Sequence, residues 1–203
     1  MAIEWKEIER LFKQSSNNTK LKLAEAKNND VIAELGVNEQ SVLGQVLINL
    51  DSVGVNDYLN ILGGNEESGI ISFNNKMKKY YQGNKLIVAY DVWGGIFAIG
   101  NGDFGEDVRA VWYYAPDSLQ WECLNINYAE FIAWACSDNI KEFYKSFLWN
   151  DINSLLEKVK SEEAILVYPF LWSKECNIET ADKKIVPIEE VVVLNVEYEK
   201  KIG

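Results

Sequence analysis

The sequence predicts an α+β fold, a mostly antiparallel central sheet flanked by helices, and three observations carry that expectation. Aromatic and β-branched runs separated by glycine and by Pro-Asp-Ser form a meander over 57–124. Apolar residues at helical spacing lie on either side of it, in an N-terminal segment over 1–30 and in a run over 127–160. The 203 residues, 48% hydrophobic and 25% charged, are enough for one sizeable core in a single domain without covalent staples.

Taken in order, Trp5, Ile8, Leu11 and Phe12 share one helical face, so Ile3 to Phe12 reads as an amphipathic helix. Leu21 to Lys27 reads as a second short helix, ended by Asn28 to Asp30. Ser41 to Leu50 is apolar and fits helix or strand, whereas Asp57 to Leu62 alternates as a strand and stops at Gly63-Gly64. The strand Leu86 to Val92 turns at Gly94-Gly95 into Ile96 to Ile99, and Val108 to Ala115 turns at Pro116-Asp117-Ser118 into Leu119 to Leu124. Such short connections favour hairpins over crossovers. Within Val111-Trp112-Tyr113-Tyr114 successive side chains point to opposite faces, so both faces of that strand carry large aromatics.

Three helices are expected next. Asn127 with Glu130 forms an Asn version of the capping box ahead of Tyr128, Phe131, Ile132 and Ala135. Ser137 and Asp151 open the other two. A closing strand over Ala164 to Phe170 and a terminal element complete the region 164–200. Pro187 with Glu189 and Glu190 favours a helix there, while Val191-Val192-Val193 favours a strand, and helix is the preferred reading.

Composition excludes whole mechanisms. The chain has no histidine, which removes Ser-His-Asp and Cys-His hydrolases, HExxH metalloproteases and most transition-metal sites. Cys123, Cys136 and Cys176 form no CxxC pair, so neither a zinc site nor a disulfide framework is expected. Met1 to Phe12 carries Glu4, Lys6, Glu7, Glu9 and Arg10 where a secretory signal would be apolar, and the longest apolar run, Ala164 to Trp172, is broken by Pro169. A bilayer needs about 20 apolar residues. A cytoplasmic location is expected.

Charge is uneven. The net charge is −11, yet Val31 to Asn75 and Leu86 to Ile140 together carry −13, with Arg109 as their lone cation. Acidity of this kind disfavours nucleic-acid backbones and anionic membranes and suits basic partners. The cluster Lys76, Lys78, Lys79 with Tyr80 and Tyr81 is short and reads as a solvated face. Asp103-Phe104-Gly105 spells a kinase triplet without the other kinase motifs, and the acidic glycine loop from Gly100 to Asp107 lacks EF-hand spacing. Glu66-Glu67 and Glu106-Asp107 read as surface acids, and Gly63-Gly64 and Gly94-Gly95 as turns rather than phosphate loops. No catalytic residue, metal or cofactor is expected.

From about Leu43 to Tyr198 the chain resembles the bacterial family catalogued as domain of unknown function twenty-six-twenty-five. The resemblance rests on Leu59-Asn60-Ile61-Leu62-Gly63, Asp91-Val92-Trp93-Gly94-Gly95-Ile96-Phe97-Ala98, Tyr113 to Trp121, Tyr128-Ala129-Glu130-Phe131, Tyr168-Pro169-Phe170-Leu171-Trp172 and Val186-Pro187-Ile188-Glu189-Glu190. It implies no catalytic residues. More loosely, the order of glycine hairpin, aromatic strand, Trp and Tyr-x-x-Phe helix is similar to the SUKH superfamily, many of whose bacterial members are immunity proteins against toxins. The leading expectation is therefore a non-enzymatic, immunity-type protein that binds a basic protein partner through Trp93, Asp103, Glu106 and Asp107. The first alternative is a histidine-free enzyme or small-ligand binder with a pocket at Asp91 and Tyr114, joined by Asp103 and Glu106. The second is a scaffold that forms a homodimer through an uncovered aromatic sheet face.

Overall fold

The computed structural model describes residues 4–81, 83–100, 102–105 and 109–202, and the fold is α+β as expected. Helix α1 (Trp5–Lys13) buries Ile8 and Phe12, the stripe that its spacing predicts. Strand β1 (Thr19–Leu23) then replaces the helix expected over 21–27. Thr-Lys-Leu-Lys-Leu alternates with period two, and this pattern wins because a neighbouring strand is there to pair with it. Helix α2 (Asn29–Leu35) begins where a helix was expected to end, and Gly36 closes it at φ 61°. Ser41 settles the ambiguous stretch after it. Its Oγ accepts the Gly44 amide at 3.0 Å and starts α3 (Val42–Asn49).

Strand β2 (Leu50–Val55), absent from the sequence reading, follows without a break, and β3 (Leu59–Leu62) returns beside it. Asn56 and Asp57, at φ 51° and 62°, make the mirror-image turn that matches strand twist, with the Tyr58 amide donating to the Val55 carbonyl at 3.2 Å. Helix α4 (Ile70–Met77) was not anticipated either, although Ile70, Phe73 and Met77 share one buried face. The meander comes next as β4 (Leu86–Asp91), β5 (Ile96–Ile99), β6 (Ala110–Ala115) and β7 (Gln120–Asn127). Among the described residues β1 to β7 form one antiparallel sheet in chain order, so each strand neighbours its sequence neighbour.

Helix α5 (Tyr128–Ala135) carries the full capping box. Asn127 Oδ1 accepts the amides of Ala129 and Glu130, and Glu130 Oε2 accepts the Asn127 amide at 2.8 Å. Helix α6 (Asn139–Phe143), a 3-10 turn at Lys145–Phe147 and α7 (Ile152–Leu156) complete the helical run. Strand β8 (Glu163–Tyr168) forms where a strand was expected over 164–170. It pairs with β9 (Asp182–Pro187) in a separate two-stranded sheet, and the Ile165 amide donates to the Val92 carbonyl after β4. The terminal element is helix α8 (Ile188–Ile202).

The sheet has two differently covered faces. One row across it runs Leu21, Val53, Ile61, Ala89, Phe97, Tyr113, and this face packs on α5 and α6 through Phe97 against Phe131 and Tyr113 against Phe143. The adjacent row runs Lys20, Gly54, Asn60, Tyr90, Ile96, Tyr114, Trp121 and faces the other way. On that second face α4 covers β4, with Phe73 stacked on Tyr90 at 4.8 Å, and α8 covers β6, with Tyr114 Oη donating to Glu199 at 3.0 Å. Trp112 lies half-buried beneath Phe104, their centroids 4.5 Å apart. Among the described residues both aromatic faces of β6 are therefore covered, Trp112 in part, and this strand shows no bare aromatic face of the kind a homodimer was expected to use. The uncovered part of the sheet is instead its β1–β3 end.

Replacing Asn127 by Ala removes the side-chain half of the capping box, the acceptor of the Ala129 and Glu130 amides, and leaves the backbone amide of residue 127 to donate to Glu130. We expect a loss of about 1 kcal/mol in chemical denaturation, with the native spectrum retained. An unchanged unfolding midpoint would show that the box contributes nothing.

Candidate functional site

Asp91 ends β4 with its carboxylate fully enclosed, at 0% exposure. A buried charge of this kind must find donors, and four converge on it. Oδ1 accepts the amides of Trp93 at 2.9 Å and Gly95 at 2.8 Å, while Oδ2 accepts the hydroxyls of Tyr113 at 2.8 Å and Tyr144 at 3.1 Å. Gly95 has no room for a side chain, since a Cβ would lie 2.3 Å from both Asp91 Oδ2 and Tyr113 Oη. Burial pushes the Asp91 carboxyl up to about 6, against the lowering pull of those four hydrogen bonds. Burial, followed by the charge on Asp91, holds the Tyr113 and Tyr144 phenols well above their ordinary range.

Trp93 was expected on a partner-binding surface, and the structure corrects this: it is 1% exposed and packs among Tyr58, Tyr144 and Phe147. Its ring folds inward because the Asp91 carboxylate pins its amide within the turn. Asp103 accepts the Asn84 amide at 2.5 Å and pairs with Lys85 at 3.4 Å. Glu106 and Asp107 lie outside the described residues. The pocket expected at Asp91 and Tyr114 does not form, because the two side chains project from opposite faces of the sheet and Tyr114 is also 0% exposed. The structure thus brings Asp91 and Trp93 together as one internal knot and leaves Tyr114 and Asp103 apart from it.

A concave site lies elsewhere, over the uncovered end of the sheet, and it is one of several clefts of 320–380 Å³ among the described residues. A groove of about 370 Å³ runs from β1 to the segment after α7. Gly54 and Asn60 form its floor with Ser52 and Leu62, and a Cβ placed on Gly54 would meet only Lys20 Cβ, at 3.8 Å, so the floor is open because residue 54 has no side chain. Lys20 and Lys22 alternate along β1 to make the near wall. Lys20 pairs with Asp57 at 2.5 Å and Lys22 with Asp51 at 3.4 Å. The mirror-image turn aims Asp57 at Lys20, and Asn56 Oδ1, which accepts the Asn18 amide at 3.0 Å, ties that turn to the entry of β1.

Leu156, Val159, Lys160 and Ser161 make the far wall. Its position is set by three contacts with the body of the sheet and α4. The Glu162 amide donates to Tyr90 Oη at 2.9 Å, Lys76 pairs with the Glu162 carboxylate at 2.7 Å, and the Ile165 amide donates to the Val92 carbonyl. Burial raises the Tyr90 phenol, partly offset by that Glu162 amide. Lining side chains supply ammonium, hydroxyl and amide groups, with Asp57 as the one carboxylate among them. Among the described residues no group of three or more Cys, Asp or Glu is placed to hold a metal ion. No helix of those residues is long and apolar enough to cross a membrane.

With the geometry in view, comparison with known proteins places the chain. The family described as protein of unknown function DUF2625 matches residues 2–191. The chain belongs to this family. The DUF2625 match takes in the Asp91 knot and every residue of the groove from Lys20 to Ser161. The chain is 40% identical over 106 residues to YbfG, an uncharacterised protein of Escherichia coli K12, an alignment that covers 52% of this chain and 48% of YbfG. It is 29% identical over 139 residues to an uncharacterised protein of Haemophilus influenzae Rd, covering 65% of this chain and 61% of that one. The chain spans about half to three fifths of the length of these relatives.

Sequence reasoning missed Lys20, Lys22, Gly54 and Ser161 as site residues. The signal for the first three was present, since Thr-Lys-Leu-Lys-Leu is a period-two pattern and Asn56-Asp57 is a turn pair of the left-handed kind. Lys160 and Ser161 had none, because only tertiary packing carries them to the sheet.

Asp91 makes a pH prediction. Its carboxyl is raised from 3.8 to about 6 in the folded protein, so the native state holds this proton more tightly than the unfolded chain does. The resulting stabilisation is complete below the unfolded value and is lost as pH rises through the folded one. Urea unfolding of wild type and Asp91→Asn between about pH 4 and pH 7 should show the difference moving in the variant's favour as pH rises, by on the order of 2–3 kcal/mol. Parallel curves would mean that Asp91 does not titrate in this window.

Proposed function

We propose that the protein is a binding protein that takes a small polar ligand in the groove between β1 and the segment after α7. The observation that carries this reading is the bare floor at Gly54, bordered by Asn60, Ser52, Ser68 and Ser161, within a cleft of ligand size. Donors set on a rigid sheet and a pinned wall are pre-organised for recognition, which lowers the cost of binding.

Binding is favoured over catalysis by where the perturbed groups lie. Sites that move protons gather residues with displaced pKa values in an accessible cleft. Here Asp91, Tyr81, Tyr113 and Tyr144 are strongly raised and all four are sealed in the core, and Tyr90, the raised phenol at the groove, is itself only 3% exposed. The immunity-type reading, an acidic face that captures a basic protein, has less support. Of its four residues Trp93 is interior and Asp103 is engaged by Lys85 and the Asn84 amide.

The test is a titration of isotope-labelled protein with a panel of small polar metabolites, read by amide chemical shifts. Ligands should perturb Ser52, Asn60 and Ser161, and Gly54→Val, which fills the floor with a residue suited to a strand, should abolish the response while keeping the melting temperature within a few degrees. Shifts confined to other surfaces, or a response that survives Gly54→Val, would count against the groove.

A further inference from the structure

We infer that the ligand of this groove carries a phosphate group, held between the β1 lysines and Lys160, an inference that rests on the groove being the ligand site. The argument begins with the balance of charges. In a chain of net charge −11, three ammonium groups, Lys20, Lys22 and Lys160, line one cleft together with five neutral side chains that carry a donor, Ser52, Asn60, Ser68, Tyr90 and Ser161. The single carboxylate of the lining, Asp57, is engaged by Lys20 at 2.5 Å and by Asn18 Nδ2 at 3.4 Å. Asp51, the partner of Lys22 at 3.4 Å, is only 13% exposed at its side chain and lies outside the lining. The cleft is therefore rich in donors and poor in acceptors, the opposite of the chain as a whole.

Placement adds to composition. Lys20 and Lys22 stand on β1 and Lys160 over β4, three strand spacings apart, or about 14 Å between backbones. Lys22 and Lys160 stand at the rim on opposite walls, with Gly54 and Asn60 on the floor between them and Asp57, paired with Lys20, as the lining's one acid. An anion seated there gains charge-assisted hydrogen bonds from Lys160 and from Lys22, whose contact with Asp51 is long at 3.4 Å. Lysine is a point-charge donor suited to the three outer oxygens of a phosphate, whereas a single carboxylate fills fewer of the available donors. The remaining hydroxyls and the Asn60 amide suit a polar body attached to that phosphate.

Four probes test this by amide chemical shifts and calorimetry on the full chain: inorganic phosphate, glycerol 3-phosphate, glycerol and succinate. Glycerol 3-phosphate should perturb Ser52, Gly54, Asn60 and Ser161 saturably and bind more tightly than phosphate, and added salt should weaken both. Lys22→Gln and Lys160→Gln should each reduce affinity by about tenfold. Both side chains lie at the rim, so unchanged thermal melts verify that these variants fold. Preference for succinate over phosphate overturns the assignment to phosphate. Groove shifts with glycerol but none with either phosphate probe overturn the inference and leave the groove reading standing. Phosphate shifts that map away from the groove, or that neither lysine variant weakens, overturn it as adventitious binding. If no probe and no member of the metabolite panel shifts the groove, the groove reading fails first and the inference with it.

Discussion

A carboxylate without access to water must be satisfied by the protein around it, and Asp91 imposes that demand on the middle of the central sheet and the helix packed on it. Its two oxygens draw in the backbone of the β4–β5 turn, a phenol from β6 and a phenol from the end of α6. Removing any one donor would leave charge unsatisfied inside a close-packed core. The turn therefore has one acceptable geometry, and that geometry folds Trp93 inward against Tyr58 and Tyr144. Tyr58 in turn accepts from Asn56 Nδ2 at 2.8 Å, which anchors the β2–β3 turn that directs Asp57 toward the groove. An internal constraint in the meander is connected through a few side chains to the groove at the sheet's far end.

The groove exists because the second face of the sheet is longer than what covers it. Helices α4 and α8 reach β4 and β6, where Phe73 lies on Tyr90 and Glu199 meets Tyr114. Neither reaches β1 to β3. Along the register row the side chains change at the same boundary, from Tyr114, Ile96 and Tyr90 beneath helices to Asn60, Gly54 and Lys20 in the open. Polar and small residues at the uncovered end avoid leaving an apolar patch in water.

Much of the architecture was legible where one period dominates. The helix of Ile8 and Phe12, the Asn127 capping box and the glycine and Pro-Asp-Ser turns of the meander all declare themselves in short windows. Legibility failed where two patterns overlap. Leu21 and Leu23 belong to a strand that ends at Leu23, so a window over Leu21 to Lys27 mixes its last three residues with the segment after it and registers helical composition, while the five residues Thr19 to Leu23 alternate. β2 escaped notice because Asp51, Ser52 and Gly54 give it low strand propensity, and its pairing on both sides overrides that preference. The candidate site was less legible still. Charge along the chain pointed to the acidic middle, whereas the groove joins lysines separated by some 140 positions that only the folded topology brings together.

Strand β1 is also a terminal strand of the sheet, and among the described residues its outward edge is unpaired. Lysines at alternate positions of such an edge discourage a second sheet from docking, because each approaching strand would meet a row of like charge. The side chains assigned to ligand capture therefore also keep separate molecules from joining edge to edge. An engineer who neutralises them to retune what the groove accepts would at the same time be removing a safeguard against aggregation, and would do well to move the charge along the strand rather than delete it.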